Sequence, residues 1–247
     1  AHGSKGFYQS DITTDLVNSL KDLGGVHSLA DFENVKVQYV DPTCADLKDG
    51  SKLIELPPNG QGITAIMMKK LMQFCNIDRF SAGSFERVHL EAEIAKIAYS
   101  ARNNFIGDTD FSEVKQNVFL DDLYLEQLSK EISLGKLLNH NLGDDFFTRN
   151  KDTVLICAAD NAGNAISLIF STFHAFGSGL SSKKYGLLFH NRGAGFVLKK
   201  NHPNELLGGK RPLHTIIPAI LKEKNGSIMP FGVMGGQYQA CGHARIL

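Results

Sequence analysis

The sequence predicts an α+β protein in which helices of the first half cover antiparallel sheets built mainly from the second half. Apolar residues recur at helical spacing through the first half, whereas short apolar runs separated by turn residues fill the second. Helical and strand patterns rarely alternate, which argues against a doubly wound parallel sheet. Sheet layers covered by helical layers are therefore the predicted architecture.

Four stretches of the first half show the spacing of an amphipathic helix. The first ends at the Gly24-Gly25 pair, the second follows the turn at residues 57–60, the third ends near Gly107, and the fourth covers about residues 120–137. The apolar stripes of the first three are predicted core, namely Ile12, Leu16, Val17, Leu20, Leu23, Ile63, Ile66, Met67, Leu71, Phe74, Leu90, Ile94, Ile97, Ala98 and Ala101.

The second half opens with a predicted β-hairpin. Residues 153–159 form an apolar run, the sequence Asp-Asn-Ala-Gly-Asn at 160–164 supplies turn chemistry, and residues 165–172 resume the strand pattern. Further strands are predicted at residues 185–190, 196–199, 216–222 and 227–233.

Composition and charge exclude several classes of function. The chain of 247 residues carries 26 Lys and Arg against 26 Asp and Glu, so no net charge favours nucleic acid or an anionic membrane as partner. The four cysteines lie far apart and form no Cys-x-x-Cys pair, which disfavours a zinc or redox motif. No apolar run reaches the ~20 residues of a membrane helix. With no signal peptide at the start of the chain, a cytoplasmic location is the expectation, although the compartment stays open.

Glycine-rich segments are the main hint of a site. Gly-Ser-Gly at 177–179, Gly-Ala-Gly at 193–195 and Gly-Gly at 235–236 each follow a predicted strand, and such loops let backbone N–H groups approach an anion. The chain lacks a Walker loop, a dinucleotide fingerprint, a His-Glu-x-x-His motif and a Gly-x-Ser-x-Gly elbow. No metal and no cofactor are therefore predicted.

Several segments, in one order along nearly the whole chain, resemble the gamma-glutamyltransferase family. They are Glu-Leu-Pro-Pro-Asn-Gly-Gln-Gly at 55–62, Asp-Asn-Ala-Gly-Asn-Ala at 160–165, Phe-Gly-Ser-Gly at 176–179, Asn-Arg-Gly-Ala-Gly-Phe at 191–196, the stretch 209–218, and Gly-Val-Met-Gly-Gly at 232–236. The resemblance implies an N-terminal-nucleophile (Ntn) hydrolase fold, a four-layer αββα sandwich with two stacked antiparallel sheets. It also implies a precursor that cuts itself between Asp152 and Thr153.

The resemblance further implies how the chain is divided. Residues 1–152 would be the C-terminal part of the large-subunit region, and residues 153–247 the N-terminal part of the small-subunit region. Together they would form one domain.

The same resemblance assigns the chemistry to Thr153. A threonine hydroxyl is a poor nucleophile without an adjacent base, and the free α-amine created by cleavage can be that base. Gly235 and Gly236 match the pair whose N–H groups face the oxyanion, and Ser171 matches a hydroxyl that orients or polarises the nucleophile.

Four residues depart from the family pattern. Gly195 stands where an acidic residue meets the glutamyl amine, His214 and Thr215 replace a paired-serine segment that meets its carboxylate, and Phe173 replaces an asparagine contact. If the acyl group lacks the amine, as in the cephalosporin-acylase-like branch that this pattern also resembles, Arg192 and His214 are the predicted partners of a distal carboxylate.

The predicted function is cleavage of a gamma-glutamyl (glutathione-type) amide through an acyl-threonine ester, with water or an amine or peptide as acceptor. Two alternatives stay open, because the amino-acid recognition positions are changed. One is an acylase for a non-glutamyl, glutaryl-like amide. The other is a family member that binds a ligand without catalysis. The expected partners are a small acyl-amide substrate and the two subunits of one precursor, with no nucleic acid and no membrane.

Overall fold

The computed structural model describes residues 3–114, 116–139 and 153–247. Its central element is helix α4 (Gly62–Phe74), in which every residue from Gly62 to Met72 is buried. A helix that is apolar on most sides packs inside a core rather than on a surface. Three further helices lie against it, α5 (Phe85–Phe105), α7 (Asp122–Ser129) and α8 (Gln239–Ile246).

The remaining helices are short or peripheral, and most predicted helix positions are confirmed. They are α1 (Lys5–Tyr8), α2 (Asp11–Asp22), α3 (Leu29–Glu33) and α6 (Asn117–Leu120). The helix predicted at about 120–137 is shorter than predicted, since α7 ends at Ser129. It begins near the predicted start, where the Asp121 side chain accepts a hydrogen bond from Tyr124 N at 2.8 Å and caps the helix.

A four-stranded antiparallel sheet joins the two halves of the chain. Its strands are ordered β1 (Thr43–Asp46), β2 (Lys52–Glu55), β5 (Ala219–Lys222) and β6 (Ile228–Phe231). The pairing of β2 with β5 is antiparallel and in register from Lys52–Lys222 to Glu55–Ala219. Strands β1 and β2 were not predicted, whereas β5 and β6 lie within the strands predicted at 216–222 and 227–233.

The predicted hairpin is confirmed as a second sheet of β3 (Thr153–Ala159) and β4 (Ala165–Ser171). The Asp160 carboxylate closes its turn by accepting hydrogen bonds from Ala162 N and Asn164 N, both at 2.9 Å. The hairpin lies against β6, since Ser167 Oγ donates to Phe231 O at 2.8 Å. The prediction of an α+β fold with two antiparallel sheets is thus confirmed.

The strands predicted at 185–190 and 196–199 are wrong. These segments form only isolated bridges, Ser181–Leu188 and Val197–Glu205. The backbone N–H groups of Lys184 and Tyr185 donate instead to the carboxylate of Asp15 on α2, at 3.0 to 3.1 Å. The Asp15 carboxylate therefore accepts backbone hydrogen bonds that would otherwise be available for pairing with a neighbouring strand.

No helix in the described ranges combines the length and the apolar character needed to cross a membrane.

The close approach of Gly107 to residue 203 gives a stability prediction. A Cβ at Gly107 would lie 2.0 Å from Pro203 O, so Gly107→Ala is expected to lower the free energy of unfolding by about 1–3 kcal/mol. Gly135→Ala is the matched control, since a Cβ there meets nothing within 4 Å, and a change under about 1 kcal/mol is expected. Urea unfolding of both variants measures the difference, and equal stabilities would contradict the close approach.

Candidate functional site

Thr153 begins β3 directly opposite Ser171 on β4. Directly opposed residues of an antiparallel pair project to the same face, with Cβ atoms about 4.5–5.5 Å apart. Within the described residues, the buried Thr153 Oγ1 has no hydrogen-bond partner. Buried hydroxyl groups normally do have one, so this oxygen is a candidate reactive group. Asp152, the predicted other side of the cleaved bond, lies outside the described residues.

Ser171 connects the strand to the residues that follow it. Its Oγ accepts a hydrogen bond from Phe173 N at 2.9 Å, and its backbone oxygen accepts one from Arg192 Nη2 at 3.3 Å. The serine hydroxyl is thus held by the backbone of the loop that leaves β4. Arg192 is brought to the strand pair that contains Thr153.

Arg192 is a buried cation that contacts only neutral groups. It is 6% exposed and lies in a short 3-10 turn, residues Arg192–Gly195. Its second hydrogen bond goes to Thr215 Oγ1 at 3.3 Å, and no described carboxylate forms an ion pair with it. Burial lowers the pKa of the guanidinium to about 10, so the group stays charged at neutral pH. A buried charge without a counterion is costly unless a ligand supplies the opposite charge.

Phe173 packs against this guanidinium in a strained backbone conformation. The Arg192 Cζ lies 4.8 Å from the ring centroid, and the His174 ring is stacked at 4.7 Å. Phe173 has a φ of 79°, which is unfavourable for a bulky side chain and typical of ligand-binding loops. A Cβ at Gly195 would lie 3.9 Å from Phe173 Cζ, an ordinary contact. Gly195 therefore lies beside the Arg192–Phe173 pair, with space for a side chain.

His214 and Thr215 border the same region. His214 N donates to Asn59 O at 2.9 Å, and Gln61 N donates to His214 O at 3.1 Å. Burial, and then the charge of Arg192, lower the pKa of the His214 imidazole to about 4. The ring is therefore neutral at physiological pH, so Arg192 rather than His214 supplies positive charge.

Gly235 and Gly236 follow β6 and have φ angles of 137° and 56°, conformations that suit glycine. Gln61 Nε2 donates to Gly236 O at 3.1 Å and to Thr215 O at 2.7 Å. Gly236 is thereby connected through Gln61 and Thr215 to Arg192.

The structure therefore brings the predicted positions into one neighbourhood by direct contacts. They are Thr153, Ser171, Phe173, Arg192, Gly195, His214, Thr215 and, through Gln61, Gly235 and Gly236. Their roles stay predictions, because proximity alone assigns none of them. No cluster of potential metal ligands occurs among the residues with described positions.

Two residues of the neighbourhood were not predicted as site residues. Gln61 lies within the motif at 55–62 but was read there only as part of a turn signature. Arg102 lies on α5, one helical turn after the predicted core residue Ala98, and is 2% exposed. Spacing alone does not identify it as a site residue, since its partners Gln61 and Gln237 are distant in the chain.

Comparisons with known proteins find relatives that match nearly the whole chain. The family model described as gamma-glutamyltranspeptidase matches residues 1–247. A glutathione hydrolase-like proenzyme of Bacillus subtilis is 30% identical over 96% of this chain and 44% of its own length. An oxamate amidohydrolase proenzyme of Klebsiella pneumoniae is 29% identical over the same shares, 96% and 44%.

Among solved structures, cephalosporin acylase from Bacillus halodurans superposes with a TM-score of 0.84 at 29% identity. The match covers 98% of this chain and 43% of the acylase. The chain thus spans less than half the length of the relatives it matches.

The buried imidazole of His214 predicts a pH dependence of stability. Its folded pKa of about 4 lies below the ordinary value of 6.5, so the folded state binds fewer protons than the unfolded state between these values. The neutral imidazole therefore contributes to the free energy of unfolding above pH 6.5. This contribution, at most about 3 kcal/mol, is lost as the pH falls toward 4. His214→Gln should flatten this part of the stability curve in urea unfolding between pH 7 and pH 4.5. An unchanged slope would contradict a buried neutral imidazole.

Proposed function

Because the chain belongs to the gamma-glutamyltranspeptidase family, we propose that it carries the nucleophile of a self-cleaving enzyme that breaks an amide and transfers its acyl group. The observation that supports this best is Thr153. It begins a strand, and its buried hydroxyl has no hydrogen-bond partner in the described part of the chain. The proenzyme names of two relatives agree with a chain that matures by cleavage.

In the maturation step, Thr153 Oγ would attack the carbonyl carbon of Asp152. The C–N bond then breaks and the acyl group moves to oxygen, giving an ester with a free Thr153 amine. Water hydrolyses this ester to leave the Asp152 carboxylate and an unmodified Thr153 hydroxyl. The new α-amine can then accept the proton of its own hydroxyl.

In turnover, the same hydroxyl would attack the substrate amide and hold the acyl group as a threonine ester. The amine product leaves with a proton, and water or a second amine then takes the acyl group. Each tetrahedral intermediate carries an oxyanion, for which the N–H groups of Gly235 and Gly236 are the proposed donors. Loss of one such donor typically costs about 3 kcal/mol of transition-state stabilisation.

The first candidate for the acyl donor is a gamma-glutamyl amide of the glutathione type. It agrees with the family and with a relative named glutathione hydrolase-like. Arg192 would meet the carboxylate of the glutamyl group. A buried guanidinium without an acidic partner is suited to this, because charge-assisted hydrogen bonds are stronger than neutral ones.

The second candidate is an anionic acyl group without the amine, such as glutaryl. It is favoured by the surroundings of Arg192, where Gly195 offers no carboxylate for an ammonium and no described acidic group pairs with the guanidinium. The relatives named oxamate amidohydrolase and cephalosporin acylase indicate that acyl groups vary within this family.

The proposed nucleophile gives the first test. Thr153→Ala in the full-length protein is expected to abolish both chain cleavage and amide turnover, because no hydroxyl remains to attack. Denaturing mass spectrometry after prolonged incubation should give two fragments for the wild type, one beginning at Thr153, and an intact chain for the variant. Ser227→Ala, which removes an exposed hydroxyl just before β6, is the control and should mature normally.

A Thr153→Ala chain that is still cut or still turns over would contradict the assignment. A folded wild type that neither matures nor hydrolyses any acyl anilide would support the non-catalytic alternative.

The two acyl donors are separated by comparing gamma-glutamyl and glutaryl anilides. A higher kcat/KM for the gamma-glutamyl compound supports the first candidate, and a higher value for the glutaryl compound supports the second. In either case Arg192→Gln should lower kcat/KM for the preferred donor by about 10- to 100-fold, since a charge-assisted hydrogen bond is lost. Lys199→Gln, which removes an exposed charge nearby in sequence, is the matched control. Equal rates for both variants would exclude Arg192 as the carboxylate partner.

A further inference from the structure

Gln61 is a fully buried side chain whose hydrogen bonds join three parts of the chain. Its amide nitrogen donates to Thr215 O at 2.7 Å and to Gly236 O at 3.1 Å. Its amide oxygen accepts a hydrogen bond from Arg102 Nη1 at 2.7 Å. At 0% exposure, each of these groups would be costly to leave unpaired. The side chain is therefore held in one orientation.

Arg102 is, like Arg192, a buried cation whose described partners are neutral. Besides Gln61, its guanidinium donates to Asn103 Oδ1 and Gln237 Oε1, and its Cζ lies 4.6 Å from the Tyr99 ring centroid. The Tyr99 hydroxyl donates to Gln237 O. No described carboxylate forms an ion pair with Arg102. Burial of this charge lowers the stability of the folded protein, which suggests a role other than stabilisation.

Both side chains act on one segment, residues 235–237. Gln61 binds the carbonyl of Gly236, while Arg102 and Tyr99 bind the side chain and carbonyl of Gln237. Two successive glycines have more conformational freedom than other residues, so the direction of their N–H groups is not fixed by the backbone alone. The hydrogen bonds from Gln61 and Arg102 to residues 236 and 237 restrict the conformation of this segment.

We propose that Gln61 and Arg102 are positioning residues that fix the N–H groups of Gly235 and Gly236 toward the oxyanion. This inference rests on the proposed function. Donors that are already oriented stabilise developing charge without reorganisation during the reaction. The buried positive charge of Arg102 also adds a potential that favours an oxyanion.

The expected effect is on kcat rather than on KM, because the oxyanion exists only after attack has begun. Gln61→Glu replaces the donor nitrogen by an oxygen that faces two carbonyl oxygens, and its carboxylate neutralises Arg102. Arg102→Met removes the charge and keeps most of the stem. Each should lower kcat by about 10- to 100-fold with KM changed by less than about threefold.

Two variants control for a merely structural role. Glu93→Gln alters another buried hydrogen-bonded group on α5, where the carboxylate accepts from Leu138 N at 2.7 Å and Lys96 Nζ at 2.7 Å. It should change thermal stability but leave kcat within about twofold. Arg102→Lys restores a charge and should recover part of the kcat that Arg102→Met loses. This pair keeps the test available if Gln61→Glu does not fold.

The experiment measures kcat, KM and thermal unfolding of each full-length mature protein with an anilide substrate. A selective fall in kcat for Gln61→Glu and Arg102→Met, with recovery in Arg102→Lys, supports positioning. If the folded variants keep wild-type kcat, or if Glu93→Gln loses as much, the inference is wrong while the proposed function stands. A wild type that neither matures nor turns over refutes both.

Discussion

Complete burial of helix α4 is the constraint on which the rest of the structure depends. The helix packs against α5, α7 and α8, so its N-terminus has one position relative to all three. Gln61 immediately precedes that N-terminus and is held inside the protein by it. The long-range hydrogen bonds of this one amide then set the distance between residues 214–215 and 235–237. The positions of the loop residues in the site are thus fixed by hydrogen bonds to a side chain that the core holds in place.

The electrostatic character of the site follows from an imbalance of charge. Arg102 and Arg192 are both buried, and each contacts amide, hydroxyl, carbonyl or aromatic groups in place of carboxylates. His214 beside them is neutral because burial and Arg192 depress its pKa. By contrast, the buried carboxylate of Asp108 is paired with the partly exposed Arg211 at 2.6 Å. The two buried arginines without a described carboxylate partner are the reason for proposing that the site takes a negatively charged ligand.

How much the sequence could predict depended on the range of the interaction. The hairpin was predictable because Asp160 and the alternating strands are local signals, and the order of family motifs located Thr153, Arg192 and Gly236. The strand at 185–190 failed because its backbone N–H groups have other partners, such as Asp15, far away in sequence, for Tyr185. Arg102 was missed for the same reason, since its partner Gln237 lies 135 positions away. Periodicity and motifs report on neighbours in the chain, whereas burial of a charge is decided by elements that meet only in the folded state.

Because β2 pairs with β5, one sheet contains strands that precede and strands that follow the 152–153 bond in the sequence. A chain cut at that bond would become two molecules that share a sheet and a core. Unfolding would then release separate fragments, and their return would be a second-order reaction that depends on concentration. Refolding of the uncut chain does not depend on concentration in this way, because its two halves are covalently linked. For the proposed cleavage it follows that folding comes before cutting, and that refolding of a cut protein would require two separate fragments to meet.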